Sequence, residues 1–309
     1  MRVTSRAPVR IDFAGGWTDV NIFARGAGGI VVNAAINHYV TGVLEVQDEH
    51  EHPGPHLSGE AGAGQEGIGV SYRSELPSGS GLGTSSALNV VWLSLVKSQI
   101  ASDEDRARIA ELAYQLEEIL GILGGKQDQY AAAYGGINSM TFAETVAVER
   151  LGVSEEMVSV LESRLVLCYT GKPRLSGSIH ENVWGAFRRG VPETVNALYS
   201  LRDCAVRMRH ALLEADICAF ADILSENWQH QKALDASVSN ELIESLFNEA
   251  FDAGAIGGKA CGAGGGGCLL FCCAPGQRLK VSDALALAGA RVIPFQFDFT
   301  GLQVVREER

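Results

Sequence analysis

The sequence predicts an α+β fold in two intimate halves, on three observations. Extended, β-branched runs separated by glycine-rich turns lead up to Glu75. Segments of helical periodicity dominate from Ser176 to Ala250. The chain then returns to strand after those helices, an order that is not a strict βα alternation. At 309 residues it has room for a sizeable core in one large domain or two.

The elements follow in order. Val3 to Phe13 reads as a strand that ends at Ala14-Gly15-Gly16. Gly29 to Ile36 and Tyr39 to Val46 read as two paired strands, and Gly69 to Glu75 as a short one. Pro77 to Gly83 is a glycine-rich turn leading into a helix over 85–100. Ser102, followed by three acidic residues, is a good N-cap for a second helix, with the stripe Ile109, Leu112, Leu116 and Ile119. Ile137 to Phe142 and Arg164 to Tyr169 read as strands. Helices are expected over 176–188, 193–213, 217–234 and 240–250, with Trp228 in the core. Strands at 268–273 and 291–297 flank a helix over 278–287. The division is placed near residue 155, giving an N-terminal domain over residues 1–155 and a C-terminal domain over residues 156–309.

Composition narrows the function. The chain has 36 glycines, about 12% of its residues, against ~7% in an average protein. Hydrophobic residues make up 46%, which excludes a collagen-like or disordered chain. A net charge of −12 argues against nucleic-acid or membrane-surface partners. No ~20-residue apolar run and no secretory leader is read, so the expected setting is cytoplasmic. The seven cysteines are an odd number without a CxxC pair, and read as free thiols. The stretch 48–69 carries six glycines with His50, His52 and His56, and reads as a surface loop rather than a metal site.

The glycines cluster, and the sharpest cluster is Pro77-Ser78-Gly79-Ser80-Gly81-Leu82-Gly83-Thr84-Ser85-Ser86-Ala87. Glycines let successive backbone N–H groups face one concavity, and the following helix adds unpaired donors and a positive dipole end. Three hydroxyls then stand ready for phosphate oxygens or Mg2+. No Gly-Lys-Ser/Thr follows the glycines, so this is a phosphate cradle but not a P-loop.

The segment resembles the second motif of the GHMP kinases, P-x-x-x-G-L-G-S-S-A, with Thr84 for the first serine. Arg10-Ile11-Asp12-Phe13-Ala14-Gly15-Gly16-Trp17-Thr18-Asp19 resembles the first motif. Gly257 to Cys268, with Gly264, Gly265 and Gly266 in a run of four glycines, resembles the third. Gly125-Lys126-Gln127-Asp128-Gln129-Tyr130 to Gly136, Glu226-Asn227-Trp228 and Val292 to Asp298 resemble the heptose 7-phosphate kinase and fucokinase-like branch. The resemblance implies the GHMP two-lobed fold, with a ribosomal protein S5 domain 2-like N-terminal lobe and a ferredoxin-like C-terminal lobe.

It also implies roles. ATP would lie on Pro77, Gly79, Ser80, Gly81, Leu82, Gly83, Thr84, Ser85 and Ser86. Mg2+ would take Ser85 and a helix carboxylate, Glu117 in preference to Glu118. Asp128 matches the family's catalytic aspartate, with Lys126 expected to hold it ionised and Arg10 to stabilise the transferring phosphoryl group. The acceptor would meet Arg10, Gly15, Gly16, Trp17, Thr18, Asp19, Asp128 and Gly264 to Gly266. Trp17 either stacks on the sugar or packs in the core. Lys172 and Arg174, with His180, either clamp a substrate phosphate or form an ordinary basic loop. The expected activity is ATP-dependent phosphorylation of a heptose 7-phosphate at its anomeric hydroxyl. The alternatives are a kinase for a neutral sugar such as fucose or a secondary-metabolite sugar, and a non-catalytic nucleotide or sugar sensor.

Overall fold

The computed structural model describes residues 1–46, 68–97, 100–173 and 176–307. The N-terminal half runs β1 (Arg2–Ala14), α1 (Asn21–Ala27), β2 (Gly29–Val46), β3 (Ile68–Ser74), α2 (Thr84–Lys97), α3 (Asp103–Ile119), α4 (Gln127–Tyr134), β4 (Ile137–Phe142), β5 (Val146–Arg150) and α5 (Glu155–Arg164). Then come β6 (Leu165–Tyr169), α6 (Ser176–Arg188), α7 (Pro192–Leu213), α8 (Ile217–Lys232), α9 (Glu241–Asp252), β7 (Ala255–Ala260), β8 (Cys268–Cys273), α10 (Arg278–Leu287), β9 (Arg291–Ile293) and β10 (Gln303–Glu307).

Two antiparallel sheets result. One has the order β10-β1-β2-β4-β5, with β3 added on β2; the other has the order β7-β8-β6-β9. The last strand thus crosses back to the first sheet, with Arg2 opposite Glu307 and Arg6 opposite Gln303. The two strands expected over 29–46 are one long strand. Pro8 of β1 pairs with Tyr39 and Val9 with Ile36, so Asn37 and His38 form a bulge where a turn was expected. The strand expected over 291–297 ends at Ile293.

Two apolar clusters form among the described residues, and the long helices α7 and α8 each contribute to both. On α7, Ala197, Leu198 and Leu201 join the cluster under the second sheet, while Ala205, Met208 and Leu212 join the first. On α8, Phe220 and Leu224 face the first cluster and Trp228 the second. Residues three and four apart share a helix face, so each helix pins both sheets along a continuous stripe. Helix α3 departs from expectation. Ser102 caps it as expected, accepting from the Asp105 amide. Its buried face, however, is Ile109, Ala110, Ala113, Tyr114 and Glu117, while Leu112 and Ile119 are exposed. Small residues let α3 lie close to α2 and α4, and that rotation turns Glu117 inward.

All seven cysteines are free thiols, as expected, and Cys272 and Cys273 are buried in β8. Among the described residues no helix is long and apolar enough to cross a membrane.

Candidate active site

The glycine-rich segments converge on one cavity of roughly 290 Å³ between the sheets. Its walls come from the end of β1, the loop before α2, the α3–α4 connection, α6 and the turn after β7.

The loop before α2 is shaped by backbone conformations that need glycine. Gly81 and Gly83 have φ of +83° and +76°. A Cβ at Gly81 would stand 2.7 Å from the Cys261 carbonyl, and one at Gly83 would stand 3.1 Å from the Asp128 carboxyl group. Side chains at either position would push apart the phosphate loop and its neighbours. The loop is stitched to the third motif as well, because the Cys268 amide donates to the Ser80 carbonyl at 2.7 Å. Gly79, Ser80, Gly81, Gly83, Thr84, Ser85 and Ser86 line the cavity. Leu82 is fully buried beneath them, and Pro77 does not contribute to the wall.

Arg10, on β1, reaches across the site. Its Nε donates to Asp128 Oδ1 at 2.8 Å, its Nη2 lies 2.6 Å from the same oxygen, and its Nη1 donates to the Gly81 carbonyl at 2.6 Å. Burial opposes its charge, but Asp128 and Asp12 outweigh that and raise its affinity for the proton. Asp128, in the first turn of α4, therefore has one oxygen committed. Its Oδ2 makes no hydrogen bond among the described residues.

Lys126 does not perform the expected task. Its Nζ donates to both oxygens of Glu111, at 2.9 and 3.0 Å, and lies over the Tyr114 ring. Although two residues from Asp128, Lys126 precedes α4 while Asp128 is inside it, so their side chains diverge. The cation on Asp128 is Arg10, contributed by a strand 118 residues away.

Of the two candidate glutamates, Glu117 lines the cavity and Glu118 is exposed, bonded to Tyr114 and Asn21. Glu117 accepts from Asn89 at 3.0 Å and Gln129 at 2.8 Å, with Ser86 as a further partner. Among the described residues its partners are all neutral. Burial pushes its carboxyl group up, and Asp128 adds to this. A carboxylate held by neutral donors, on the same cavity wall as Ser85, fits a divalent cation that would supply the missing charge.

At the other end stands the first motif. Gly16, Trp17 and Asp19 line the cavity; Gly15 and Thr18 do not. Thr18 is buried and structural: its Oγ1 donates to the Gly15 carbonyl at 2.8 Å and accepts from the Ile30 amide at 3.0 Å. Asp19 Oδ2 accepts from the Gln127 amide at 3.0 Å. Burial, with Asp128 nearby, nevertheless pushes Asp19 up to about 6. Trp17 is buried, and its ring lies 4.4 Å from the ring of His180, which also lines the cavity. One indole face is thus taken by imidazole, which restricts the expected stacking on a sugar.

The third motif contributes Gly262 and Ala263 to the wall in place of Gly264 to Gly266. Gly264 and Gly265 turn against Val238 and Ile179. Lys172 is exposed and away from the cavity lining. Arg174, like the histidines of the 48–67 stretch, lies outside the described residues.

Three contributors were not anticipated. Asn227 Oδ1 accepts from the Gly15 amide at 3.0 Å and holds the first-motif turn from α8. Gln127 joins Asp128 on the wall. Lys259, fully buried on β7, pairs with the buried Asp12 carboxylate and donates to the Asp12 carbonyl at 3.1 Å. A charged residue in an otherwise apolar-and-glycine strand was the available signal for Lys259; Asn227 and Gln127 carry no signal beyond their motifs.

Comparison with known proteins agrees with the geometry. Residues 38–136 match the model of the GHMP kinases N-terminal domain, and residues 208–290 that of the GHMP kinases C-terminal domain. The chain is 31% identical to a D-glycero-alpha-D-manno-heptose 7-phosphate kinase of Campylobacter jejuni, over 97% of this chain and 98% of that one. It is 28% identical to a bifunctional fucokinase/GDP-fucose pyrophosphorylase of Arabidopsis thaliana, over 90% of this chain but 30% of that longer protein. Among solved structures, a D-glycero-D-manno-heptose 1-phosphate kinase from Bacteriodes thetaiotaomicron superposes with a TM-score of 0.75 at 28% identity, covering 99% of this chain and all of the other. The chain belongs to the GHMP kinase family, whose members transfer a phosphoryl group to an alcohol.

Proposed function

We propose that this kinase transfers the γ-phosphoryl group of ATP to the anomeric O1 of D-glycero-D-manno-heptose 7-phosphate or a close analogue. One observation carries the phosphoryl-transfer geometry. Asp128 presents one free carboxylate oxygen at the junction of the glycine loop and the first-motif wall, while Arg10 binds the other. The substrate class is supported by the end-to-end match to a heptose 7-phosphate kinase.

In this reading the amides and hydroxyls of residues 79–86 cradle the ATP phosphates. Asp128 Oδ2 accepts the proton of the attacking hydroxyl. Arg10 fixes the Asp128 carboxylate by two donors on Oδ1 and ties it to the loop through the Gly81 carbonyl. Base and donor phosphate are thereby held in one rigid unit, which serves a reaction that depends on alignment more than on covalent help. Ser85 and Glu117 are the residues that would hold Mg2+, which would supply positive charge to the phosphates. Asp19 accepts sugar hydroxyls.

A second reading has an observation of its own. Among the described lining residues Arg10 is the only lysine or arginine, and it is already committed to Asp128 and Gly81. That favours a neutral sugar such as fucose over a phosphorylated one. The deciding experiment is a kinase screen over hexoses, deoxyhexoses and heptose 7-phosphates, followed by NMR of the product. Turnover of the heptose 7-phosphate with phosphate appearing on C1 is expected. Turnover of neutral sugars alone would overturn the heptose assignment.

A further inference from the structure

Three side chains of metal-binding type meet between α7 and α8. The Cys204 thiol, a carboxylate oxygen of Glu226 and a ring nitrogen of His230 lie within 4.8 Å of one another. Among the described residues no other such group forms. Glu226 and His230 are four residues apart on α8 and so share one helix face. A three-residue link, 214–216, folds α8 back against α7 and brings Cys204 to that face. None of the three lines the active-site cavity.

An ordinary ion pair does not account for the arrangement. Arg207 Nη2 donates to Glu226 Oε1 at 2.5 Å and to Cys204 Sγ at 3.4 Å. His230 Nε2 lies 3.5 Å from the same Glu226 oxygen. Two groups able to carry positive charge thus converge on one carboxylate oxygen, and the guanidinium spends a further contact on sulfur, a weak acceptor. A single dication serves all three groups better. Thiolate, neutral imidazole and carboxylate are the donors that suit Zn2+. The spacing suits it as well. Bonds of ~2.0–2.3 Å in a tetrahedral shell hold ligand atoms ~3.3–3.6 Å apart. The Glu226–His230 separation is already in that range, and the rest is a small movement of two partly exposed side chains.

We infer that Cys204, Glu226 and His230 form a Zn2+ site that joins α7 to α8, with Arg207 as the competing cation. The Zn–S bond forms as the Cys204 thiol gives its proton to solvent, the imidazole binds as the neutral base, and water completes the shell at the exposed edge. Arg207, half exposed, turns out into solvent. The site is structural rather than catalytic. Ala205, next to Cys204, has its Cβ 2.7 Å from where a Cβ on Gly15 would stand, and Asn227, next to Glu226, accepts from the Gly15 amide. The metal therefore clamps the two helices at the level where they support the first-motif turn.

The test uses the reduced full chain in a Cys218→Ser background, which removes the exposed thiol. Co2+ is the coloured substitute for Zn2+. It should give a thiolate-to-cobalt charge-transfer band and the visible bands of a tetrahedral shell, both bleached by equimolar Zn2+. His50, His52 and His56 carry no thiol and cannot produce the first band. Cys204→Ala should abolish that band. His230→Gln, at a partly exposed position, should keep the fold and weaken Zn2+ at least ~10-fold, read by displacement of Co2+. Arg207→Gln should bind Zn2+ more tightly, because the competing cation is gone. Zn2+ should also raise the Tm of the background protein more than that of Cys204→Ala. Absence of the charge-transfer band, its persistence in Cys204→Ala, or a His230→Gln affinity within ~2-fold of the background protein overturns the inference. The proposed kinase activity stands or falls separately.

Discussion

The Lys259–Asp12 pair offers a quantitative test of how the site is held together. Both side chains are essentially without solvent contact, and they join β7 of the second sheet to β1 of the first, two residues from Arg10. Replacing Lys259 by Met keeps the volume and removes the charge. Asp12 is then a buried carboxylate without its cation, and breaking such a pair from one side costs ~3–5 kcal/mol. The unfolding entropy of a 309-residue chain, at ~2.1 cal/mol/K per residue, is ~0.65 kcal/mol/K. The expected fall in Tm is therefore ~5–8 °C. Differential scanning calorimetry measures it directly. The double variant Asp12→Asn, Lys259→Met removes both charges and should recover most of the loss. A catalytic effect accompanies the single change. The uncompensated Asp12 competes with Asp128 for the Arg10 guanidinium, so kcat should fall by more than the Tm shift alone explains. A Tm within ~1 °C of wild type for Lys259→Met, far below that range, would refute the reasoning, and so would a double variant no better than the single one.

Three further outcomes are expected. Asp128→Asn should lower kcat by ~10²–10⁴-fold, the usual worth of a positioned base, with the ATP KM little changed; steady-state kinetics checks it, and a kcat near wild type would remove Asp128 as the base. Asp19, pushed by burial from 3.8 to about 6, makes stability pH-dependent: the unfolded chain loses this proton first, so stability falls as pH rises through that window and is flat above it. Thermal unfolding between pH 4 and 7 should show that slope in wild type and not in Asp19→Asn, which gains up to ~3 kcal/mol at pH 7, while acceptor kcat/KM rises through the same window only in wild type. Glu117→Gln should raise the half-saturating Mg2+ concentration ~10-fold or more; a Mg2+ titration of the rate checks it, and an unchanged midpoint would exclude Glu117 as a metal ligand.

Much of this was legible in the sequence where the backbone itself carries the signal. Gly81 and Gly83 announced a loop that only glycine can form, and the hydroxyls behind them lie where expected on the cavity. Helix periodicity located α6 to α10 within a few residues. What could not be read was long-range pairing. Lys126 looked like the partner of Asp128 because it is two residues away, but a helix start sends adjacent side chains in different directions. Arg10 reaches Asp128 across the fold instead. The α3 stripe was misread for a related reason: the buried face was chosen by small Ala110 and Ala113 and by Glu117, not by the largest apolar residues. Strands β5 and β7 went unread, the first because it is short and mostly exposed, the second because its glycines and lysine resemble a loop. The bulge at Asn37 and His38 looked like a turn because local sequence does not distinguish an interrupted register from a reversal.

The pairing of β1 with β10 has a consequence for how the enzyme comes into being. The strand that carries Arg10 and Asp12 leaves the ribosome ahead of every other strand of both sheets, while the neighbour that covers its outer edge follows them all. Closing that pair spans nearly the whole chain, so it is a late and entropically demanding event in folding. Lys259, which neutralises Asp12, also arrives late. A partly synthesised chain can thus hold Arg10, the complete glycine loop and Asp128 while still lacking the lysine that neutralises Asp12. The outer edge of the first strand stays open over Arg2 to Arg6 until the last strand has been made.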